Sequence, residues 1–301
     1  MEQGLIGKIQ QYSTKDGPGI RTTVFMVGCN LQCKWCANPE LMGRERKLLY
    51  HERLCTHCGR CVKVANSDGL KLIDNQLIIN RKKLTNISLI ADACLDEAME
   101  IIGQEYSVEA LYLELIRDKV FFDASFGGVT FSGGEAALQA EFVSEVAKRL
   151  QAAKIHVALD TAGYIETNIL LNLVKNIDLV LYDIKAFDCN LHKKLTNVSN
   201  DLILKNAVIL AKINQAMIIR LIIVPSINDD WEDVKKRIEF IKTLGNCVKQ
   251  VDILQYHELG LSKYKSLNQE YQLKLIPKST KVVKLATEYA RSLGLIVTID
   301  G

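Results

Sequence analysis

No stretch of the sequence approaches the roughly 18 consecutive apolar residues that a membrane-spanning helix needs. The N-terminus, MEQGLIGKIQQYS, lacks a basic start followed by an apolar segment, so no secretory leader is read there. Charge of one sign is scarce too. A net +3 over 301 residues gives no reason to expect nucleic acid or an anionic membrane as a partner. No Pro/Gly/Ser-rich linker divides the chain. The expectation is a soluble, cytoplasmic protein of one large or two ordinary domains. At 48% hydrophobic residues it has enough apolar material for a substantial core.

Cysteine, by contrast, is plentiful at nine residues. Six of the nine sit at close spacing: Cys29, Cys33 and Cys36, then Cys55, Cys58 and Cys61. In a reducing compartment such spacing points to metal or redox chemistry rather than structural disulfides. Cys94, Cys189 and Cys247 are isolated. The default for an isolated cysteine is a small buried hydrophobe, and it is kept for Cys189 and Cys247.

Short apolar runs predict strands at 20–27, 128–132, 156–160, 178–185, 217–224 and 251–256, with 296–300 as a seventh candidate. Between them run helix-period apolar residues, such as Phe142, Val146, Ala147 and Leu150, or Val234, Ile238, Ile241 and Leu244. Strands alternating with helices predict an α/β fold with a parallel sheet. Continuous apolar strands suit a sheet covered on both faces. About six units could curl into a full or partial barrel; an open doubly wound sheet is the rival, which periodicity cannot separate. Residues 48–103 break the rhythm and read as an insertion.

The first cysteine group, GCNLQCKWCANPE at 28–40, has the spacing C-x3-C-x2-C directly after the first predicted strand. Three thiolates can hold three irons of a [4Fe–4S] cube and leave the fourth open to a small molecule. A zinc site is usually built from two separated pairs, so a compact triplet fits zinc poorly.

With Trp35 before its last cysteine, this triplet resembles the radical S-adenosylmethionine (SAM) superfamily. The preceding DGPGIRTTVFMVGC and the following ANPE narrow the resemblance to activating enzymes of glycyl radical enzymes, the pyruvate formate-lyase activating enzyme-like group. It covers most of the chain. It implies a partial (β/α)6 TIM-type barrel carrying a small ferredoxin-like insertion. Residues 1–47 and 104–301 would form the core and 48–103 the insert.

Further motifs agree. FSGGEAALQ (131–139), LDTAG (159–163), YDIKA (182–186), IIRLIIVP (218–225) and YHELG (256–260) each lie at or beside the carboxyl end of a predicted strand, where a βα barrel gathers its site. Alone, each has a bland reading: a plain βα turn for Gly133–Gly134, a surface ion pair for Asp183 and Lys185, a structural histidine for His257. The resemblance assigns SAM contacts to Trp35, Ala37, Gly133, Gly134, Glu135, Asp160, Asp183, Ile184, Lys185, Arg220 and His257. The SGGE segment would meet the amino group, Arg220 the carboxylate, and His257 the ribose or adenine side. Asp160 is also a candidate for a monovalent cation.

The second cysteine group, CTHCGRCVKVA at 55–65, starts like a ferredoxin motif but has Ala65 where a fourth cysteine belongs. In a two-cluster ferredoxin the fourth cysteine of each motif binds the other motif's cluster. Shifted by 29 residues, 55–74 aligns with 84–103. Cys55, Cys58 and Cys61 then meet Leu84, Ile87 and Ile90, while Ala65 meets Cys94. The crossover rule leaves one cluster complete, with Cys55, Cys58, Cys61 and Cys94. The other has lost all four ligands to Leu84, Ile87, Ile90 and Ala65. The expectation is one auxiliary [4Fe–4S] cluster, with apolar residues filling the vacated volume. A buried, unliganded thiol is the rival for Cys94.

The function expected from the resemblance is reductive cleavage of SAM. The resulting 5′-deoxyadenosyl radical would install a glycyl radical on a partner enzyme, with flavodoxin or ferredoxin as electron donor. The alternatives are a radical SAM enzyme acting on a small molecule and a non-catalytic iron–sulfur electron carrier. The sequence does not name the partner.

Overall fold

The computed structural model describes residues 3–65, 68–273 and 281–300. In chain order its strands are β1 (Gln3–Ser13), β2 (Arg21–Met26), β3 (Lys47–Tyr50), β4 (Leu70–Ile73), β5 (Gln76–Ile79), β6 (Met99–Ile102) and β7 (Gln104–Ser107). There follow β8 (Gly128–Gly133), β9 (His156–Thr161), β10 (Leu179–Asp183), β11 (Met217–Ile223), β12 (Val248–Gln255) and β13 (Val297–Ile299). Every predicted apolar run is a strand, including the seventh candidate. β1 and β7 were not predicted.

Nine strands form one sheet in the order β13-β12-β11-β10-β9-β8-β2-β1-β7. From β2 to β13 all pairs are parallel, and the spatial order is the chain order. A doubly wound sheet reverses its strand order at a switch point. None occurs here, so the sheet is singly wound. β1 joins β2 and β7 antiparallel at one end.

The largest apolar core lies between the sheet and its helices. Phe131, Leu159 and Ile219 of the strands pack with Phe142, Val146 and Leu150 of helix Ala140–Ala152 and with Val234, Ile238 and Ile241 of helix Trp231–Thr243. The other face carries a small cluster of Ala158, Leu179, Leu181 and Ile218. It also carries the polar residues described below. The sheet is strongly curled. Arg220 of β11 donates to the Lys15 carbonyl at 3.1 Å, although four strand steps separate β11 from β2. Beyond β12, Lys263 donates to Asn38 and Glu40 beyond β2, each at 2.6 Å.

Residues 47–102 contain an antiparallel β3–β6 pair, the β4–β5 hairpin and two short helices, Arg60–Val64 and Ile87–Asp92. They have their own apolar cluster around Leu48, Leu70, Ile90 and Met99. The Arg81 guanidinium ties this region to the sheet's far end, donating to the Leu48, Ser266 and Leu267 carbonyls. Among the described residues no helix is long and apolar enough to cross a membrane.

Candidate active site

The loop after β2 carries Cys29, Cys33 and Cys36. It is held from outside by helix Cys189–Thr196, whose last carbonyls would otherwise lack partners. Gln32 N–H donates to the Thr196 carbonyl at 2.8 Å and Lys34 N–H to that of Leu195 at 3.1 Å. Asn30 donates to the Tyr164 carbonyl at 2.7 Å. Burial pushes the Cys29 and Cys36 thiols up to about 12 and raises Cys33 as well. These thiols are neutral at pH 7 until a bound metal displaces their protons.

All three cysteines open onto one cavity of about 320 Å³ at the carboxyl ends of the parallel strands. Two ion pairs line it. Asp160 of β9 meets Arg220 at 3.1 Å, and Asp183 at the end of β10 meets Lys185 at 2.7 Å. Ser132 donates to Asp160 at 2.6 Å. Burial is the largest influence and would lower both cations, but the surrounding negative groups together outweigh it: Asp160, Asp183 and Asp16 for Arg220, and Asp183 first among the groups around Lys185. Both are held above their usual ranges. The Arg220 Nε is buried and has no hydrogen-bond partner among the described residues. Such a donor calls for an acceptor.

Trp35, Ala37, Gly133, Gly134, Asp160, Asp183, Lys185, Arg220 and His257 line this cavity together with the cysteines. The two glycines have a packing reason as well. A Cβ on Gly133 would lie 2.3 Å from the Met26 nitrogen, and one on Gly134 2.2 Å from the Gly28 oxygen. The strand end presses on β2 and its loop, where no side chain fits.

Two expected contacts are placed elsewhere. Glu135 is buried behind the cavity wall, accepting from Ala137 N–H at 3.2 Å, Thr161 Oγ1 at 2.7 Å and Ala162 N–H at 2.9 Å. It shapes the turns after β8 and β9, and burial lifts its carboxyl to about 7. Ile184 points into the main core because strand neighbours face opposite sides. Asp16, Ser132, Thr161 and Tyr256 line the cavity but were not singled out. Each sits inside a motif already quoted. Asp16 is fixed by Ser13 at 2.5 Å and Thr23 at 2.8 Å and lies 3.7 Å from Arg220.

A second, much smaller cavity of about 20 Å³ lies in the 47–102 region. Cys55, Cys58, Cys61 and Cys94 all line it. Cys94 follows helix Ile87–Asp92 and is only partly buried. The four residues aligned with these cysteines do not line it. Ala65 and Ile90 are fully buried in the neighbouring apolar cluster, with Leu84 and Ile87 packed against them. Among the described residues, no three His, Cys, Asp or Glu side chains converge as ligands of a single metal ion. A cube asks for something different, since each thiolate bonds a separate iron at its own corner.

Residues 23–239 match the model of the Radical SAM superfamily. The chain belongs to that superfamily. Membership implies a [4Fe–4S] cluster and SAM. The buried thiol triplet, sharing one cavity with the Asp160–Arg220 and Asp183–Lys185 pairs, fits both the cluster and SAM. This radical SAM chain is 39% identical over 271 residues to the trans-4-hydroxy-L-proline dehydratase activating enzyme of Clostridioides difficile, covering 89% of each. It is 36% identical over 279 residues to the 4-hydroxyphenylacetate decarboxylase activating enzyme of Clostridium scatologenes, covering 90% of this chain and 88% of that one. A solved domain of the pyruvate formate-lyase-activating enzyme from Bacteroides vulgatus superposes with a TM-score of 0.50 at 29% identity. The match covers 58% of this chain and 99% of that domain. The resemblance to glycyl-radical-enzyme activating enzymes thus holds over most of the radical SAM chain.

Proposed function

We propose that the chain activates a glycyl radical enzyme, with Cys29, Cys33 and Cys36 holding the [4Fe–4S] cluster and the adjoining cavity holding SAM. When bound, the cluster supplies the electron that splits SAM into methionine and a 5′-deoxyadenosyl radical, which removes a Cα hydrogen from a glycine of the partner. The observation that carries this reading is the joint lining of one cavity by the three thiols and by the Asp160–Arg220 and Asp183–Lys185 pairs.

The protein's own residues bind, orient and exclude water. Arg220 and Lys185 present two fixed cations to the carboxylate of SAM. Asp160, Asp183 and the backbone of the SGGE turn suit its amino group. His257, at the rim beyond β12, takes the ribose or adenine side. Trp35 and Ala37 close the wall beside the cysteines. The curled, singly wound sheet supports reading residues 1–47 and 104–301 as a partial barrel. Residues 48–103 are then a degenerate ferredoxin-like insert. Its four cysteines hold one auxiliary [4Fe–4S] cluster, and flavodoxin or ferredoxin is the electron donor. The partner is a dehydratase, lyase or decarboxylase of the glycyl radical class, with neither nucleic acid nor membrane involved.

Anaerobic incubation with SAM and dithionite tests the reading. It predicts 5′-deoxyadenosine and, with the partner present, a glycyl radical signal in electron paramagnetic resonance (EPR). An electron carrier would yield neither, and an enzyme acting on a small molecule would yield no protein radical.

A further inference from the structure

Asn228 and Arg237 lie outside the cavity, and no motif singles them out. Both are fully buried. Asn228 sits in the loop after β11, and Arg237 on helix Trp231–Thr243. The Asn228 amide donates to the Lys185 carbonyl and to the Ile222 carbonyl, each at 2.9 Å, and accepts from Val224 N–H at 2.7 Å. The backbone bond from Ile184 N–H to the Arg220 carbonyl, at 3.1 Å, joins the ends of β10 and β11. Past it, the Asn228 side chain carries the pairing onward as an extra rung. Lys185 and Ile222, which that rung joins, both line the SAM cavity.

Other buried groups complete the grip. Arg237 donates to the Asn228 carbonyl at 2.5 Å and to the Lys185 carbonyl at 3.4 Å. Its Nε lies 2.9 Å from the Asp233 carboxylate in a buried ion pair. Asp233 accepts from Phe187 N–H at 2.9 Å and Asp188 N–H at 2.8 Å. Asn200 donates to the Ala186 carbonyl at 3.1 Å and the Phe187 carbonyl at 2.7 Å. A loop on the surface leaves such groups to water. Here a buried arginine, whose desolvation is costly, is used to hold a four-residue stretch.

We infer that Asn228, seated by Arg237, is a positioning residue for Lys185: it fixes the backbone from which that ammonium reaches Asp183, and so sets the affinity of the cavity for SAM. The inference rests on the reading of Lys185 as a SAM contact. The amide touches no cavity space itself and acts only through the two strand ends. Of the two residues it joins, Ile222 offers SAM no charge, so the effect on SAM should pass chiefly through the lysine.

A double-mutant cycle tests this by equilibrium dialysis of labelled SAM against anaerobically reconstituted protein, with Asn228→Ala and Lys185→Met. Asn228→Ala should raise the Kd for SAM by about tenfold when Lys185 is present. In the Lys185→Met background it should change Kd by less than about twofold, because coupled residues are non-additive. Equal weakening in both backgrounds, or none in either, overturns the inference, since a general structural role would act without regard to Lys185. If Asn228→Ala does not fold, Asp233→Asn, which removes the charge that seats Arg237, enters the same cycle with the same outcomes. Unmodified protein that bound no SAM would overturn the active-site reading and this inference together. An additive cycle overturns the inference alone.

Discussion

The two cysteine sites keep opposite company. Cys29, Cys33 and Cys36 share a large cavity with three carboxylates, Asp16, Asp160 and Asp183, and two cations, Lys185 and Arg220, and their loop is pinned by the end of a neighbouring helix. Cys55, Cys58, Cys61 and Cys94 share a far smaller cavity, with Leu72, Leu77, Ala98 and Met99 among its other walls beside Arg60 and Asp96, and with Cys58 exposed at the surface. Three ligands beside fixed charges make a place for a second, polar molecule. On the proposed reading, four thiolates in the smaller site would satisfy a cube outright and leave no corner for one. The contrast separates a site built to react from one built to hold, or at most to pass an electron.

The sharpest way to break the contrast is to remove one thiol from each site. Cys33→Ala should reduce 5′-deoxyadenosine formation to background by chromatography, because two thiolates cannot hold the cube in place. Cys94→Ala should lower iron from about eight to about four per chain while SAM still perturbs the remaining cluster. Unchanged iron in that variant would return Cys94 to the status of an ordinary thiol.

The apolar half of the insert offers a milder probe. Ile90 is fully buried where a lost second cluster would have had a ligand. Ile90→Ala should destabilise the protein by about 2–4 kcal/mol in denaturant unfolding without changing iron content. Loss of iron in step with stability would show that the two halves of the insert are not independent.

Glu135 gives the smallest effect and a pH dependence. Its folded pKa, about 7, lies above the ordinary 4.5 because it is buried. A raised value favours the protonated form in the folded state. Its contribution is therefore full below pH about 4.5 and is lost as pH rises towards 7. Relative to Glu135→Gln, the unmodified protein should lose about 1–3 kcal/mol of stability between pH 5 and 8 in urea unfolding. Parallel curves would mean that the carboxyl stays charged in its pocket.

The strands were legible because parallel strands covered on both faces read as unbroken apolar runs. β1 and β7 escaped notice for the converse reason. They pair antiparallel at one end of the sheet, and QEYS of β7 has no apolar run at all. The site was legible where chemistry-bearing residues stand at strand ends. Ile184 shows a limit that period two could have corrected: with Asp183 and Lys185 facing the cavity, the residue between them faces away. Glu135 was harder, because two of its three partners are backbone N–H groups of the turns after β8 and β9 and the third is the Thr161 hydroxyl. Asn228 was invisible for the same reason, since it bonds only main-chain atoms. Spacing within residues 48–103 singled out Cys94 through the crossover rule, and the structure places it beside Cys55, Cys58 and Cys61 around one cavity.

The central claim is that one of two clusters is gripped at three corners and accepts SAM at the fourth. EPR of the anaerobically reduced protein, recorded with and without SAM, tests it most directly. SAM should reshape one cluster's signal in the unmodified protein and in Cys94→Ala, but not in Cys33→Ala. A spectrum that SAM leaves unchanged in the unmodified protein would contradict the account.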